Sequence, residues 1–128
     1  MLEPSVDHDI AARQIVDAAF AVHRTLGPGL LESVYEQCLA HELTIRNFHV
    51  ARQVALPVSY RGVMIEAGYR VDVLVNDLVT AEVKAVEKLL PVHEAQLLTY
   101  LKLSGKRVGL LINFNSVRIK DGIRRLIG

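Results

Sequence analysis

The first third of the chain carries apolar residues at helical spacing, which predicts two helices. Apolar positions recur every three to four residues from 7 to 24, and again from 31 to 46. Asp7 or Asp9 is expected to cap the first helix with its carboxylate. Gly27-Pro28-Gly29 is expected to end it, because proline cannot continue a helix and glycine permits the turn. The apolar positions of the first helix are Ala11, Ile15, Ala18, Val22 and Leu26.

The middle of the chain switches to the alternating pattern that is typical of strands. Val54, Leu56, Val58 and Tyr60 occupy every second position, which predicts one strand with a single buried face. Turns are expected at positions 61–62 and 76–77, so further strands would cover 63–75 and 78–86. These three strands together predict a meander.

The last third combines a helix with an apolar strand. Pro91 precedes a helix predicted from 92 to 103, and Ser104-Gly105 closes it. The almost wholly apolar run from 108 to 114 indicates a central strand covered on both faces, and 117–127 is expected to add a short edge strand or a turn. The order predicts an α/β fold, one domain over residues 1–128, whose mixed central sheet of about four to five strands is flanked by helices.

Composition excludes several classes of protein. Hydrophobic residues make up 51% of the chain, enough for a core without covalent staples, and the single cysteine, Cys38, rules out an internal disulfide. The chain starts Met1-Leu2-Glu3, which is acidic where a signal peptide is basic. No apolar run approaches the ~20 residues that a membrane span needs. A cytoplasmic protein without a membrane segment is therefore expected.

The net charge of +1 hides an uneven distribution of basic residues. Positions 102–125 hold seven lysines and arginines against one acidic residue, Asp121. Such a segment either contacts phosphates or forms an ordinary solvated surface, and both interpretations stay open.

Charged residues interrupt two strands that are otherwise apolar. Asp72 lies within the run from 71 to 75, and Glu82 and Lys84 lie within the run from 78 to 86. A buried charge is costly unless it is paired or binds a metal ion. Glu82 and Lys84 share one face because strand side chains alternate. A hairpin at positions 76–77 would bring Asp72 to the level of Glu82 or one pair away.

Two carboxylates and an ammonium group at one place suit the hydrolysis of a phosphodiester. Mg²⁺ prefers oxygen ligands and usually keeps several waters. It would neutralise charge on the phosphate and acidify a water, while Lys84 would orient or help to deprotonate that water. The alternative is a solvated edge on which Glu82 and Lys84 merely pair.

An ordered set of motifs resembles the core of the PD-(D/E)XK nucleases. The set consists of Gly68-Tyr69-Arg70-Val71-Asp72, then Glu82-Val83-Lys84, then Gln96 and Tyr100. It is most similar to the RecB-like branch, in which a Gln-xxx-Tyr helix follows the Glu-x-Lys strand. The upstream segment Gly29-Leu30-Leu31-Glu32-Ser33-Val34-Tyr35 looks like the signature of the bacterial GxxExxY proteins. One departure is Val71, which stands where the motif has proline.

The resemblance implies a restriction-endonuclease-like fold and a role for each matching residue. Asp72 and Glu82 would be metal ligands, joined by the Val83 carbonyl and by Glu32, and the ion would be Mg²⁺ or Mn²⁺. Lys84 would be the catalytic lysine. The substrate would be nucleic acid, with DNA expected, and a homodimer is a further expectation. The catalytic set is then Asp72, Glu82, Lys84, Gln96 and Tyr100.

Alternatives to this interpretation remain at two levels. Glu32 would also suit the start of a helix, where an acidic side chain meets the helix dipole favourably. Gln96 and Tyr100 lie four residues apart on one helix face and would also simply pack. At the level of function, the alternatives are a catalytically silent module that binds nucleic acid or protein, or an accessory subunit of a larger nuclease complex.

Overall fold

The computed structural model describes residues 4–128, in which α-helices pack on both faces of a β-sheet. The helices are α1 (Val6–Leu26), α2 (Glu32–Ile45) and α3 (Pro91–Ser104). The strands are β1 (Val50–Ala55), β2 (Val58–Tyr60), β3 (Val63–Ile65), β4 (Arg70–Val75), β5 (Val79–Lys84), β6 (Val108–Asn113) and β7 (Ile123–Ile127), and a short 3₁₀ helix covers Ile119–Gly122. Residues Met1–Glu3, on which part of the expected cytoplasmic location rests, lie outside the described range.

The main sheet has five strands in the order β1-β4-β5-β6-β7. β5 and β6 run parallel, and the other neighbouring pairs run antiparallel. Parallel neighbours need a crossover connection, which α3 supplies. All six residues of β6 are buried, as the apolar run predicted, and β7 forms the edge strand beside it. The prediction of a mixed sheet flanked by helices is confirmed.

The prediction of one continuous strand from 54 to 60 is wrong. β1 begins at Val50 and ends at Ala55, whereas β2 leaves the main sheet and pairs with β3 in a separate hairpin. Pro57 lies between β1 and β2, and a proline has no N–H with which to continue a ladder. The strand expected from 63 to 75 is likewise divided, into β3 and β4. The meander is present as β1-β4-β5, with the hairpin inserted after its first strand.

The start of α1 also differs from the prediction, because neither Asp7 nor Asp9 is the cap. The hydroxyl of Ser5 accepts a hydrogen bond from the N–H of His8 at 3.3 Å, and the N–H of Ser5 donates to Nδ1 of His8 at 3.1 Å. The two acidic residues lie in the first turn instead, where they favourably meet the helix dipole.

The sheet separates two apolar layers. The larger lies under α1 and α2, where Ile15 and Leu39 pack with Val73 and Val83 of the sheet. On the opposite face, Leu97 and Leu101 of α3 pack on Leu111. Among the described residues, no helix combines the length and apolar character needed to cross a membrane.

Replacing the cap residue should weaken α1. We expect Ser5→Ala to lower the free energy of unfolding by about 0.5–2 kcal/mol, because the N–H of His8 loses its acceptor. Urea denaturation measures the change. The control variant Asp7→Ala loses only a charge near the helix dipole, which should lower the free energy of unfolding by about 0.3–1 kcal/mol. A larger loss in Asp7→Ala than in Ser5→Ala would contradict the assignment of the cap.

Candidate metal centre

Two carboxylates replace backbone hydrogen bonds at the place where β4 and β5 stop pairing. The ladder extends as far as the Val73–Ala81 pair. Beyond it, the N–H of Asp72 donates to Oε1 of Glu82 at 3.1 Å, and the N–H of Val83 donates to Oδ2 of Asp72 at 2.9 Å. The structure therefore brings the two acidic side chains together across the hairpin.

Burial makes the Glu82 carboxyl group unusually hard to ionise. The residue is only 4% exposed. Burial, followed by the negative charge of Asp72, raises the pKa of Glu82 to about 8, while the N–H of Asp72 and the charge of Lys84 act in the opposite direction. Two carboxylates held this close repel each other, and a bound cation would relieve that repulsion. The donor set thus fits a hard divalent ion.

Lys84 lies on the face of β5 that is turned towards α3. Val79, Ala81 and Val83 belong to the core under α1 and α2, so Glu82 and Lys84 occupy the opposite face. Nζ of Lys84 donates to Oε1 of Gln96 at 3.2 Å.

Gln96 links this lysine to Tyr100. Nε2 of Gln96 donates to the hydroxyl of Tyr100 at 3.2 Å, so three side chains form a chain of hydrogen bonds along the site. Burial, and then the charge of Glu82, raises the pKa of Tyr100 above its ordinary value. The two α3 residues therefore contact the site as well as packing on the helix face.

Glu32 reaches the same place from the first turn of α2. The backbone of Ala85, just after β5, lies near its carboxylate and favours the ionised form. Partial burial raises the pKa of Glu32, the charge of Lys84 lowers it, and the charges of Asp72 and Glu36 raise it. The position also suits the helix dipole, so both interpretations of Glu32 are compatible with the structure.

Tyr35 holds the loop that leads into α2. Its ring is fully buried and stacks on Phe114 with 4.7 Å between ring centroids. The Tyr35 hydroxyl donates to the carbonyl of Gly27 and accepts from the N–H of Leu30 at 3.0 Å. Gly29 has a φ of +99°, a backbone conformation that residues with a side chain rarely adopt. These contacts hold the loop that leads directly into Glu32, the first residue of α2.

Three residues near the site were not among those predicted from the sequence. Glu36 is only 5% exposed, and Arg52 and Gln53 of β1 bind its carboxylate. A signal for Glu36 was present, because it lies three residues before Leu39 on the inner side of α2. No comparable signal marked Arg52 or Gln53, since polar residues are ordinary on an edge strand.

No group of three or more histidine, cysteine, aspartate or glutamate side chains within residues 4–128 is close enough to form a metal site alone. The candidate ligands are therefore two carboxylates, supplemented by main-chain oxygen and by water. Mg²⁺ is commonly bound in this way, through one or two carboxylates.

A mixed sheet flanked by helices, with acidic residues where its central antiparallel strands separate, defines a restriction-endonuclease-like protein. A family model described as the PD-(D/E)XK nuclease superfamily matches residues 9–126, and the chain belongs to that superfamily. Nucleases of this superfamily generally use divalent metal ions. No curated protein and no solved structure matches the chain significantly. The narrower resemblance to the GxxExxY proteins stays a prediction.

The raised pKa of Glu82 should make the metal-free protein less stable as the pH rises. Between about 4.5 and about 8, the folded state keeps a proton that the unfolded chain has released, so the free energy of unfolding falls across that window and levels off above it. We expect Glu82→Gln to raise Tm at pH 8 by about 5–10 °C and to change it little at pH 4.5. Thermal unfolding in the presence of a chelator tests this.

The control for that measurement is Glu87→Gln, which removes an exposed carboxylate in the following loop. It should leave the dependence of Tm on pH unchanged. Parallel Tm curves for Glu82→Gln and the wild type would show that Glu82 ionises normally in the folded state.

Removing the Tyr35 hydroxyl should destabilise the loop before α2. We expect Tyr35→Phe to lower the free energy of unfolding by about 1–3 kcal/mol, because the carbonyl of Gly27 and the N–H of Leu30 lose their partner. Urea denaturation measures this free energy. The control is Tyr60→Phe: Tyr60 is 62% exposed, so its free energy of unfolding should change by no more than about 0.5 kcal/mol. Equal effects of the two variants would argue against the role of Tyr35.

Proposed function

We propose that this chain is a divalent-metal-dependent nuclease that hydrolyses the phosphodiester bonds of DNA. Membership of the nuclease superfamily supports the reaction class. The observation that carries the proposal is the convergence of Asp72 and Glu82, each accepting a backbone hydrogen bond from the other strand, beside the ammonium group of Lys84.

Asp72 and Glu82 would hold Mg²⁺ or Mn²⁺ between their carboxylates. Val83 would contribute its carbonyl, because the N–H and C=O of one strand residue point to the same edge and its N–H already points to Asp72. Glu32 would join through a water molecule, since its carboxylate lies within electrostatic reach of Asp72 and Lys84. When bound, the ion would neutralise charge on the phosphate and acidify a water molecule.

Lys84 would orient the attacking water and stabilise the negative charge that develops on the phosphate. An ammonium group has three N–H donors, and Gln96 accepts one of them. Gln96 in turn donates from Nε2 to the hydroxyl of Tyr100, and this hydrogen bond keeps Oε1 of Gln96 turned towards Lys84. The remaining donors of Lys84 are then directed into the site, where a preorganised charge stabilises the transition state most.

The expected substrate is DNA, held partly by the basic segment at 102–125. Two of its cations already form ion pairs, Lys106 with Asp77 at 2.9 Å and Arg125 with Asp9 at 2.6 Å. The exposed Lys120 and Arg124 form no ion pair within the described residues and would be the first candidates for phosphate contacts. A homodimer that completes the substrate groove is part of the proposal by family resemblance, and light scattering tests it.

Cleavage assays with and without metal test the proposed reaction. Wild-type protein should cut DNA in Mg²⁺ or Mn²⁺ and not in a chelator. Lys84→Ala should lower the rate by about 10²–10⁴-fold, because the water loses its orienting group. Single-stranded DNA, double-stranded DNA and RNA are compared in separate arms, so that the substrate class is read from the same experiment.

The matched control is Lys88→Ala, which removes an exposed lysine shortly after β5. Prepared in the same way, Lys88→Ala should keep wild-type activity. A contaminating nuclease would be present in all three preparations, so a loss confined to Lys84→Ala excludes it as the source of cleavage. Wild-type protein without metal-dependent cleavage of any substrate, or Lys84→Ala with wild-type activity, would refute the nuclease proposal and favour a silent binding module.

A further inference from the structure

Gln53 interrupts the regular alternation of side chains along β1. The register pairs Arg52 with Val73 and Val54 with Val71, so Gln53 lies directly across from Asp72 and no residue is inserted. Consecutive strand residues normally point to opposite faces. Gln53 nevertheless has a φ of +52°, a left-handed conformation that residues other than glycine rarely adopt.

The left-handed conformation allows two consecutive residues to bind one buried carboxylate. Nη2 of Arg52 lies 2.7 Å from Oε2 of Glu36. Nε2 of Gln53 lies 2.8 Å from Oε1 and 3.0 Å from Oε2 of the same side chain. The ion pair with Arg52 balances the charge of the buried Glu36 carboxylate and holds it in place. The carboxylate can therefore act as a fixed acceptor for the amide of Gln53.

The same amide nitrogen faces the candidate metal ligand. An amide NH₂ group has two donors, and Nε2 of Gln53 also lies 3.5 Å from Oδ1 of Asp72. The other oxygen of Asp72 is fixed by the N–H of Val83. Gln53 and Val83 therefore approach the two oxygens of this carboxylate and restrict its rotation.

We propose that Gln53 is a positioning residue that orients the Asp72 carboxylate for metal binding, with Glu36 as its buried anchor. The inference rests on the proposed function, because it assumes that Asp72 binds an ion. Groups that hydrogen-bond to a metal ligand fix its orientation, and losing one commonly weakens metal binding by about 10–100-fold. Strained backbone conformations of this kind persist where the surroundings enforce them, which the Glu36–Arg52 pair does here.

Replacing Gln53 by glycine separates this role from a merely structural one. Glycine adopts the left-handed conformation without strain, so the backbone is preserved while the amide is lost. We expect Gln53→Gly to keep Tm within a few degrees of the wild type, because relief of the backbone strain offsets the hydrogen bonds that Glu36 loses. The variant should raise Kd for Mn²⁺ by about tenfold or more. Isothermal titration with Mn²⁺ alone, together with thermal unfolding, gives both quantities. A structural role would change Tm and leave Kd alone.

The matched control is Asn47→Gly, which removes another side chain with a positive φ, 69°, just beyond the opposite end of α2. Its Kd for Mn²⁺ should equal that of the wild type. Gln53→Asn, whose shorter side chain tolerates the same backbone, is a second variant that should also bind Mn²⁺ more weakly.

The outcomes distinguish this inference from the proposed function. If the wild type binds Mn²⁺ and both folded Gln53 variants bind it equally well, the positioning role is wrong and the nuclease proposal stands. If the wild type binds no Mn²⁺, the metal-dependent function is wrong and the role of Gln53 falls with it. Weaker binding by the Gln53 variants, with Tm and the control unchanged, supports the inference.

Discussion

The structure depends most on one arrangement: a sheet in which two carboxylates take the place of ladder hydrogen bonds. Asp72 and Glu82 each accept the N–H of the other strand, so β4 and β5 separate at that point. Burial and then the charge of Asp72 oppose ionisation of Glu82, whereas the N–H of Asp72 favours it. A sheet built only for stability would place apolar residues here. Under the proposed function, a bound cation would relieve this repulsion.

The topology explains why the other polar groups meet at this opening. α3 connects the parallel strands β5 and β6, and this crossover carries Gln96 over Lys84. α2 begins beside the end of β5 and supplies Glu32. Asn113, only 2% exposed, exchanges hydrogen bonds of 3.0 and 2.9 Å with the backbone of Val86, so the chain that leaves β5 is fixed as well. The site is therefore held by elements on both faces of the sheet.

Local patterns predicted the helices, the buried strand β6 and the meeting of Asp72 with Glu82, because each depends on periodicity or on a hairpin between neighbouring strands. They failed where a single residue overrides the pattern. Pro57 diverts β2 from the main sheet although the alternation of apolar residues continues through it. Gln53 has the sequence pattern of an ordinary polar strand residue, since its left-handed conformation accompanies a contact with Glu36, 17 positions earlier in the sequence. A contact of that kind is visible only once the fold is known.

The proposed function requires that Asp72 and Glu82 share a divalent cation. A crystal of the protein soaked in Mn²⁺ and measured for anomalous scattering tests it most directly, because the signal locates the ion before any substrate is known. A shared ion would give a peak within about 2–2.5 Å of carboxylate oxygens from both residues. A peak elsewhere on the chain, or no peak at a Mn²⁺ concentration that saturates binding in solution, would contradict it.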